Sequence, residues 1–210
     1  MKKLSTWIKT SAVTLGLCCT VLGAQASILT ASDSTFGSFD ASSGTRTLAI
    51  GAGLVSDVNI SIDFAKCDDP SIGPGGTACI GGGSSFNSEI VLRLTSPGGT
   101  TVNLVNAGTY SGSTPGTGRV SVGFDDEASI AVGGPLVVGG WFIPVSALSA
   151  FDGQSALGNW TLFIQDTVGL DRLDYFTSTI SVTTVPEPGS LALLGLGLFG
   201  LLAARQRKQA

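Results

Sequence analysis

Val58-Asn-Ile-Ser-Ile-Asp-Phe64 alternates apolar and polar residues with a period of two. A helix would scatter these side chains around its axis. A strand puts Val58, Ile60, Ile62 and Phe64 on one face and Asn59, Ser61 and Asp63 on the other. The same alternation recurs along the chain. Ile90, Leu92 and Leu94 alternate with Glu89, Val91 and Arg93, and Val102 and Leu104 repeat it after the turn Ser96-Pro97-Gly98-Gly99, so Glu89 to Val105 reads as a hairpin. Val120/Val122/Phe124, Trp160/Leu162/Ile164 and Ile180/Val182 give further strands, with Thr47 to Ile50 and Leu136 to Val138 as less regular candidates. Val145 to Phe151 has room for one helical turn. About eight short strands between Gly/Ser/Thr/Pro turns predict an all-β, antiparallel sandwich. Trp160, on the Leu162/Ile164 face, is expected in its core.

Both ends depart from this pattern. At the start, Lys2, Lys3 and Lys9 precede a mostly apolar stretch, Ser11 to Gly23, and the small residues Ala24-Gln25-Ala26 follow. These are the three zones of a secretory signal peptide, with cleavage expected between Ala26 and Ser27. At the other end, Gly189 to Ala204 carries no charge over sixteen residues, and Arg205, Arg207 and Lys208 follow. As a helix such a span reaches roughly 24 Å, short of the ~30 Å hydrocarbon core, which suits a temporary halt in the inner membrane better than a permanent anchor. The basic tip would stay cytoplasmic.

Val185-Pro186-Glu187-Pro188 stands directly before that span. Its two prolines force extended backbone and donate no main-chain hydrogen bond, leaving the motif open to an enzyme at the membrane surface. Pro-Glu-Pro, an apolar span and an Arg/Lys tip together resemble the PEP-CTERM sorting signal of exported bacterial proteins. That resemblance implies recognition by an exosortase, a membrane-embedded thiol peptidase, and removal of the tail. The expected organisation is a signal peptide at 1–26, one β-sandwich domain at 27–184 and a sorting segment with a short hydrophobic helix at 185–210.

The body between the two ends, Ser27 to Thr184, holds five basic residues (Arg46, Lys66, Arg93, Arg119, Arg172) against fourteen acidic ones. An acidic surface repels phosphate backbones, so nucleic acid is excluded as a partner. The chain has no histidine, which removes Ser-His and Cys-His catalysis and histidine metal ligation. Cys67 and Cys79 lie in the exported part, where oxidation is permitted, and are expected to form a structural disulfide pinning the glycine-rich excursion Cys67 to Ser85. Gly108 to Gly118 reads as a second loop.

Glu89-Ile-Val-Leu-Arg-Leu-Thr-Ser-Pro-Gly-Gly-Thr100 with Val102-Asn-Leu104 resembles a hairpin of proprotein-convertase P domains, and Phe151-Asp-Gly153 with Gly158-Asn-Trp-Thr-Leu-Phe-Ile-Gln-Asp166 resembles one of their strands. The match runs from about Val55 to Thr184. It implies a jelly-roll-like β-sandwich of the kind that accompanies a subtilisin-type protease as a stabilising module. No histidine precedes the Ser-Pro hairpin, and no protease domain is present, so the resemblance carries a fold and not an activity.

No catalytic, cofactor or metal residues are assigned. Calcium is the one candidate ion, with Asp125-Asp126-Glu127, Asp68/Asp69 and Asp166/Asp171/Asp174 as places for it, although none has the Asp-x-Asp-x-Asp-Gly spacing. Chance pairing of carboxylates and a thin aromatic platform (Trp141, Trp160) argue against glycoside hydrolysis. Asn59-Ile-Ser61 and Asn159-Trp-Thr161 match the glycosylation pattern by chance. The expected role is a non-enzymatic, exosortase-processed β-sandwich with a structural or adhesive role in the envelope or exopolysaccharide matrix. A carbohydrate- or calcium-dependent binding module, or an accessory to a separate protease, are the alternatives.

Overall fold

Two fifteen-residue strands, Leu54–Asp68 and Asp171–Val185, run antiparallel through the middle of the larger sheet. The computed structural model describes residues 25–185 and residue 197. The zones expected to form a signal peptide, before Gln25, and the apolar span apart from residue 197, with its basic tip, lie outside the described residues. Among those described, no helix is long and apolar enough to cross a membrane.

In chain order the strands are β1 (Ser27–Asp33), β2 (Gly37–Phe39), β3 (Ser43–Ile50), β4 (Leu54–Asp68), β5 (Ser85–Phe86) and β6 (Ile90–Thr95). They continue with β7 (Thr101–Val105), β8 (Ser113–Thr114), β9 (Arg119–Phe124), β10 (Gly140–Phe142), β11 (Gly158–Asp166) and β12 (Asp171–Val185). One sheet runs β1-β12-β4-β9-β10, with β2 pairing on β12. A second runs β3-β11-β6-β7, and β5 with β8 form a small ribbon. The two large sheets face each other as a sandwich.

The core follows from the period of two. Val58, Ile60, Ile62 and Phe64 of β4 pack against Leu48 of β3, Leu92 and Leu94 of β6, and Trp160, Leu162 and Ile164 of β11, all essentially without exposure. Each such side chain contributes about 1.5–3 kcal/mol through burial. Trp160 lies edge-on to Phe151 at 4.9 Å, and its indole N–H donates to the Ala156 carbonyl at 3.0 Å, so its polar atom is satisfied inside the core. The hairpin of β6 and β7 closes at Ser96–Thr100, where Gly99 adopts φ +87° and its N–H donates to the Ser96 carbonyl.

Several expectations need correction. Among the described residues there are twelve strands where about eight were expected, and β4 and β12 are long rather than short. Leu136 to Val138 is not a strand: it follows Gly133 and Gly134, both at positive φ, and Pro135, and two of its three side chains face solvent. The strand falls just beyond, in β10, which runs parallel to β9, so the sheet is not wholly antiparallel. The turn expected in Val145 to Phe151 is a 3-10 turn at Leu148–Phe151. Gly108 to Gly118 contains β8, paired with β5. β1 and β2 carry too little alternation to show in the sequence.

Cys67 and Cys79 form the expected disulfide, with Cα atoms 5.4 Å apart. The excursion they span is held at more points than this. Asp174 accepts hydrogen bonds from the Ser71 hydroxyl and the Ile72 N–H, Asp68 accepts one from the Gly83 N–H, and Arg172 pairs with Asp69 at 2.5 Å. Beneath it Ala65, Cys67, Ile72 and Phe176 make a small second core.

Candidate functional site

Lys66 continues the core parity of β4 beyond Phe64, so its side chain enters the sandwich and is fully buried. A buried ammonium needs partners, because the cost of removing it from water is several kcal/mol. It has three carboxylates. Its Nζ lies 2.7 Å from Asp166 Oδ2, 3.0 Å from Asp171 Oδ2 and 3.2 Å from Glu89 Oε2, and it also donates to the Asp171 carbonyl. Asp166 ends β11 at core parity, Asp171 begins β12, and Glu89 sits in a single 3-10 turn, Asn87–Glu89, leading into β6. Four elements of both sheets therefore converge on one cation.

Three carboxylates around one ammonium leave excess negative charge, and proton affinities shift accordingly. Burial raises Glu89 to about 7; the neighbouring Asp171 adds to the rise, and Lys66 opposes it. Asp166 rises to about 6, first through burial and further through Asp171, with Lys66 again opposing. Burial alone would lower Lys66, but its bonds to Asp166 and Asp171 outweigh this and hold it above the ordinary lysine value. Lys66 is thus a fixed cation and not a nucleophile, whereas Glu89 can hold a proton at neutral pH.

Glu89 and Asp171 also line a pocket of about 390 Å³, shared with Asp68, Phe86, Val168 and Leu170. Asp171 stands at one end of β12 and Val185 at the other, roughly 45 Å apart for fifteen extended residues. The pocket and Val185 therefore lie toward opposite ends of β12.

The three acidic places expected for calcium turn out differently. Asp166 and Asp171 meet Glu89 within 4.8 Å, a grouping of metal-ligand type, but Lys66 already sits among them. Asp174, Asp68 and Asp69 instead tether the long excursion. Asp126 accepts from the Leu148 and Ser149 N–H groups at 2.9 and 2.8 Å, capping the 3-10 turn, and Asp125 accepts from the Glu127 N–H. Asn59 donates to Asp57 at 2.9 Å, and Asn159 is exposed. Lys66 and Glu89 were not legible as site residues from motif spacing; the available signal was a lysine and an aspartate at core parity, at 66 and 166.

Trp141 on β10 lies opposite Gly123 of β9 with its ring over the glycine: a Cβ there would stand 2.4 Å from the indole. One ring face is seated on the sheet while the residue remains 54% exposed. The outward face of the same sheet carries Thr179, Ser181 and Thr183 of β12 beside Asn59 and Ser61 of β4.

Residues 184–208 match the family model described as the PEP-CTERM protein-sorting motif. This chain carries a PEP-CTERM sorting motif. The motif implies an exported exosortase substrate that reaches the cell envelope or surface. Its first residues, Thr184 and Val185, close β12; Pro186, Glu187, Pro188, Arg205, Arg207 and Lys208 lie outside the described residues. No curated protein matches the chain. Among solved structures it is similar to FLHE at 12% identity and TM-score 0.39, covering 76% of this chain and 96% of that one. It is also similar to the Aeromonas sobria serine protease–chaperone complex, at 14% identity and TM-score 0.44 over 78% of this chain and 28% of that one. A third likeness, to infectious bursal disease virus Gx strain, has 12% identity and TM-score 0.33 over 85% and 37%. The P-domain resemblance gains no support from these matches.

Proposed function

We propose that the protein is a non-enzymatic β-sandwich with a structural or adhesive role at the cell surface or in the exopolysaccharide matrix, released there by processing at both ends. The observation that carries this reading is the placement of Ser27 beside Thr184 on neighbouring strands, which supports attachment of both routing segments at neighbouring points of the folded body. A signal peptidase would cut between Ala26 and Ser27 and an exosortase at Val185 to Pro188. The basic tip would hold the tail in the inner membrane until then. The deciding experiment follows the chain in its producing cell, with and without residues 185–188. The intact chain should be found at the surface, shortened at both ends, and the deletion should accumulate in the membrane. A folded full-length chain in the cytosol would sink the reading.

Trp141 favours a second reading, in which the same body binds a polysaccharide. A half-exposed indole held flat beside rows of hydroxyls offers a sugar ring an apolar platform with hydrogen-bonding neighbours. Trp160 is buried, so the body's surface fluorescence comes from Trp141. Titrating polysaccharide from the producing cells should shift this emission, and no shift, or one that survives Trp141→Ala, counts against it.

A further inference from the structure

We propose that the pocket over Lys66 binds an alkylammonium group carried on an apolar stem. Its lining is acidic: Glu89, Asp171 and Asp68 all line it, and Asp166, outside the lining, is paired to Lys66. Lys66 neutralises one carboxylate of the three it touches. Asp166 has no exposure, and only its Oδ2 reaches Lys66, so the cluster holds more acceptor than the lysine satisfies. The rim is apolar. Phe86, Val168 and Leu170 are 48%, 53% and 79% exposed around this opening, an arrangement that the core does not account for.

The rim is built rather than loose. Leu170 adopts φ +89°, a conformation a branched side chain adopts only when its surroundings impose it. Those surroundings are visible: its N–H donates to Asp40 Oδ1 at 2.8 Å, the Asp69 N–H donates to its carbonyl, and the Ala41 N–H donates to the Val168 carbonyl. Thr167 is tied to the Glu89 carbonyl through both its N–H and its hydroxyl at 3.2 Å. The backbone thus holds a leucine outward beside an acidic lining.

The charge of the ligand follows from Lys66. A divalent ion drawing on Glu89, Asp166 and Asp171 would sit against an ammonium that already stands within 3.2 Å of all three. A single positive charge entering from the pocket meets Glu89 and Asp68 without displacing Lys66, while its stem lies along Phe86 and Leu170. A ligand of this chemistry could be a free amine or a lysine side chain of a polypeptide. Because Glu89 holds its proton to about 7, a cation beside it favours the ionised form, and binding releases a proton near neutrality.

Calorimetric titration of the exported chain with hexylammonium chloride tests the proposal, alongside hexanol, hexanoate, calcium chloride and a lysine-bearing tripeptide blocked at both termini. Hexylammonium or the blocked peptide should bind at least tenfold more tightly than hexanol or hexanoate, and which of the two binds more tightly identifies the source. Affinity should rise between pH 6 and pH 8. Glu89→Gln should weaken binding at least tenfold, and Leu170→Ser several-fold, with melting temperature confirming that each variant folds. Equal affinity for hexanol, tighter binding of calcium than of either amine, or unchanged affinity in Glu89→Gln would each overturn it. So would the absence of amine binding at millimolar concentration.

Discussion

The hydroxyls of Ser27 and Thr184 meet at 3.0 Å across β1 and β12, although 157 residues separate them in the chain. Thr184 also donates to the Ser27 carbonyl, and the pairing runs on through all of β1 to Asp33 opposite Ser178. The first residue expected after signal cleavage and the first residue of the matched sorting motif are therefore neighbours. No linker separates the sheet from the motif, because Val185 is still paired with Leu54. The intact mass of the surface-borne protein is expected to correspond to a start at Ser27 and an end within Val185 to Pro188. A start at Met1 would refute the first half of this, and a retained Arg205 to Ala210 the second.

β1 is an edge strand, and it covers the side of β12 that would otherwise offer unpaired N–H and C=O groups. Leu29 and Ala31 pack on the core, and the Asp33 carbonyl accepts from the Tyr175 and Thr177 hydroxyls at 2.9 Å. Deleting residues 27–33 should lower the melting temperature and produce concentration-dependent association in size-exclusion chromatography. A monomer of unchanged stability would show that the edge needs no cover.

Lys66 is the cation on which Asp166, Asp171 and Glu89 depend. Lys66→Met keeps volume but leaves buried carboxylates without their counter-charge, and should cost about 3–5 kcal/mol in chemical denaturation at pH 7. Adding Asp166→Leu should return part of that loss, since it removes the most deeply buried of the unpaired charges. Independent, additive losses would mean that the two side chains do not act as a pair.

The sandwich was legible because apolar parity along β4, β6, β9 and β11 announces which face is buried, and the structure follows it at Val58 to Phe64, Ile90/Leu92/Leu94 and Trp160/Leu162/Ile164. Parity also carried the site unread. Position 66 has the parity of Ile62 and Phe64, and position 166 that of Leu162 and Ile164, so opposite charges at both were aimed into one core. Glu89 and Asp171 gave no such sign: they reach Lys66 through a 3-10 turn and a strand start whose positions depend on tertiary packing. β10 escaped for a similar reason, since the three residues Gly140–Phe142 become a strand only once β9 is there to pair with. The acidic run at 125–127 was conspicuous in sequence, but Asp126 caps the distant 3-10 turn at Leu148 and Ser149 and Asp125 accepts from the Glu127 N–H.

The disulfide closes its loop outside the main core, over the small cluster of Ala65, Ile72 and Phe176. Cys67→Ser with Cys79→Ser should lose about 3 kcal/mol in the chain-entropy account, a fall of roughly 6–12 °C in melting temperature for a domain of this size. The unreduced native protein should not react with a thiol label. Labelling at either cysteine would show the bond to be absent.

Calcium added to chelated protein should leave the melting temperature nearly unchanged, because the one grouping of metal-ligand type among the described residues already contains an ammonium and Asp126 is committed to backbone donors. A rise of several degrees would mean that a cation binds the native state in preference to the unfolded chain.

Stability should fall as pH rises from about 5 to 8. Glu89 and Asp166 hold protons to about 7 and about 6 in the folded chain, against 4.5 and 3.8 as ordinary side chains. Asp57 and Asp152 shift in the same direction, through burial and then through their acidic neighbours. A carboxyl whose affinity for a proton is raised by folding stabilises the native state fully below its unfolded value. That contribution is lost as pH passes through the folded value, since the native state then binds no more protons than the unfolded one. Lys66 acts with the same sign but far above this window. Thermal melts at constant ionic strength should give a higher melting temperature at pH 5 than at pH 8. The difference should shrink in Glu89→Gln, which cannot ionise. A chain more stable at pH 8 than at pH 5 would mean that Lys66 compensates its carboxylates fully, and that no excess negative charge remains in this cluster.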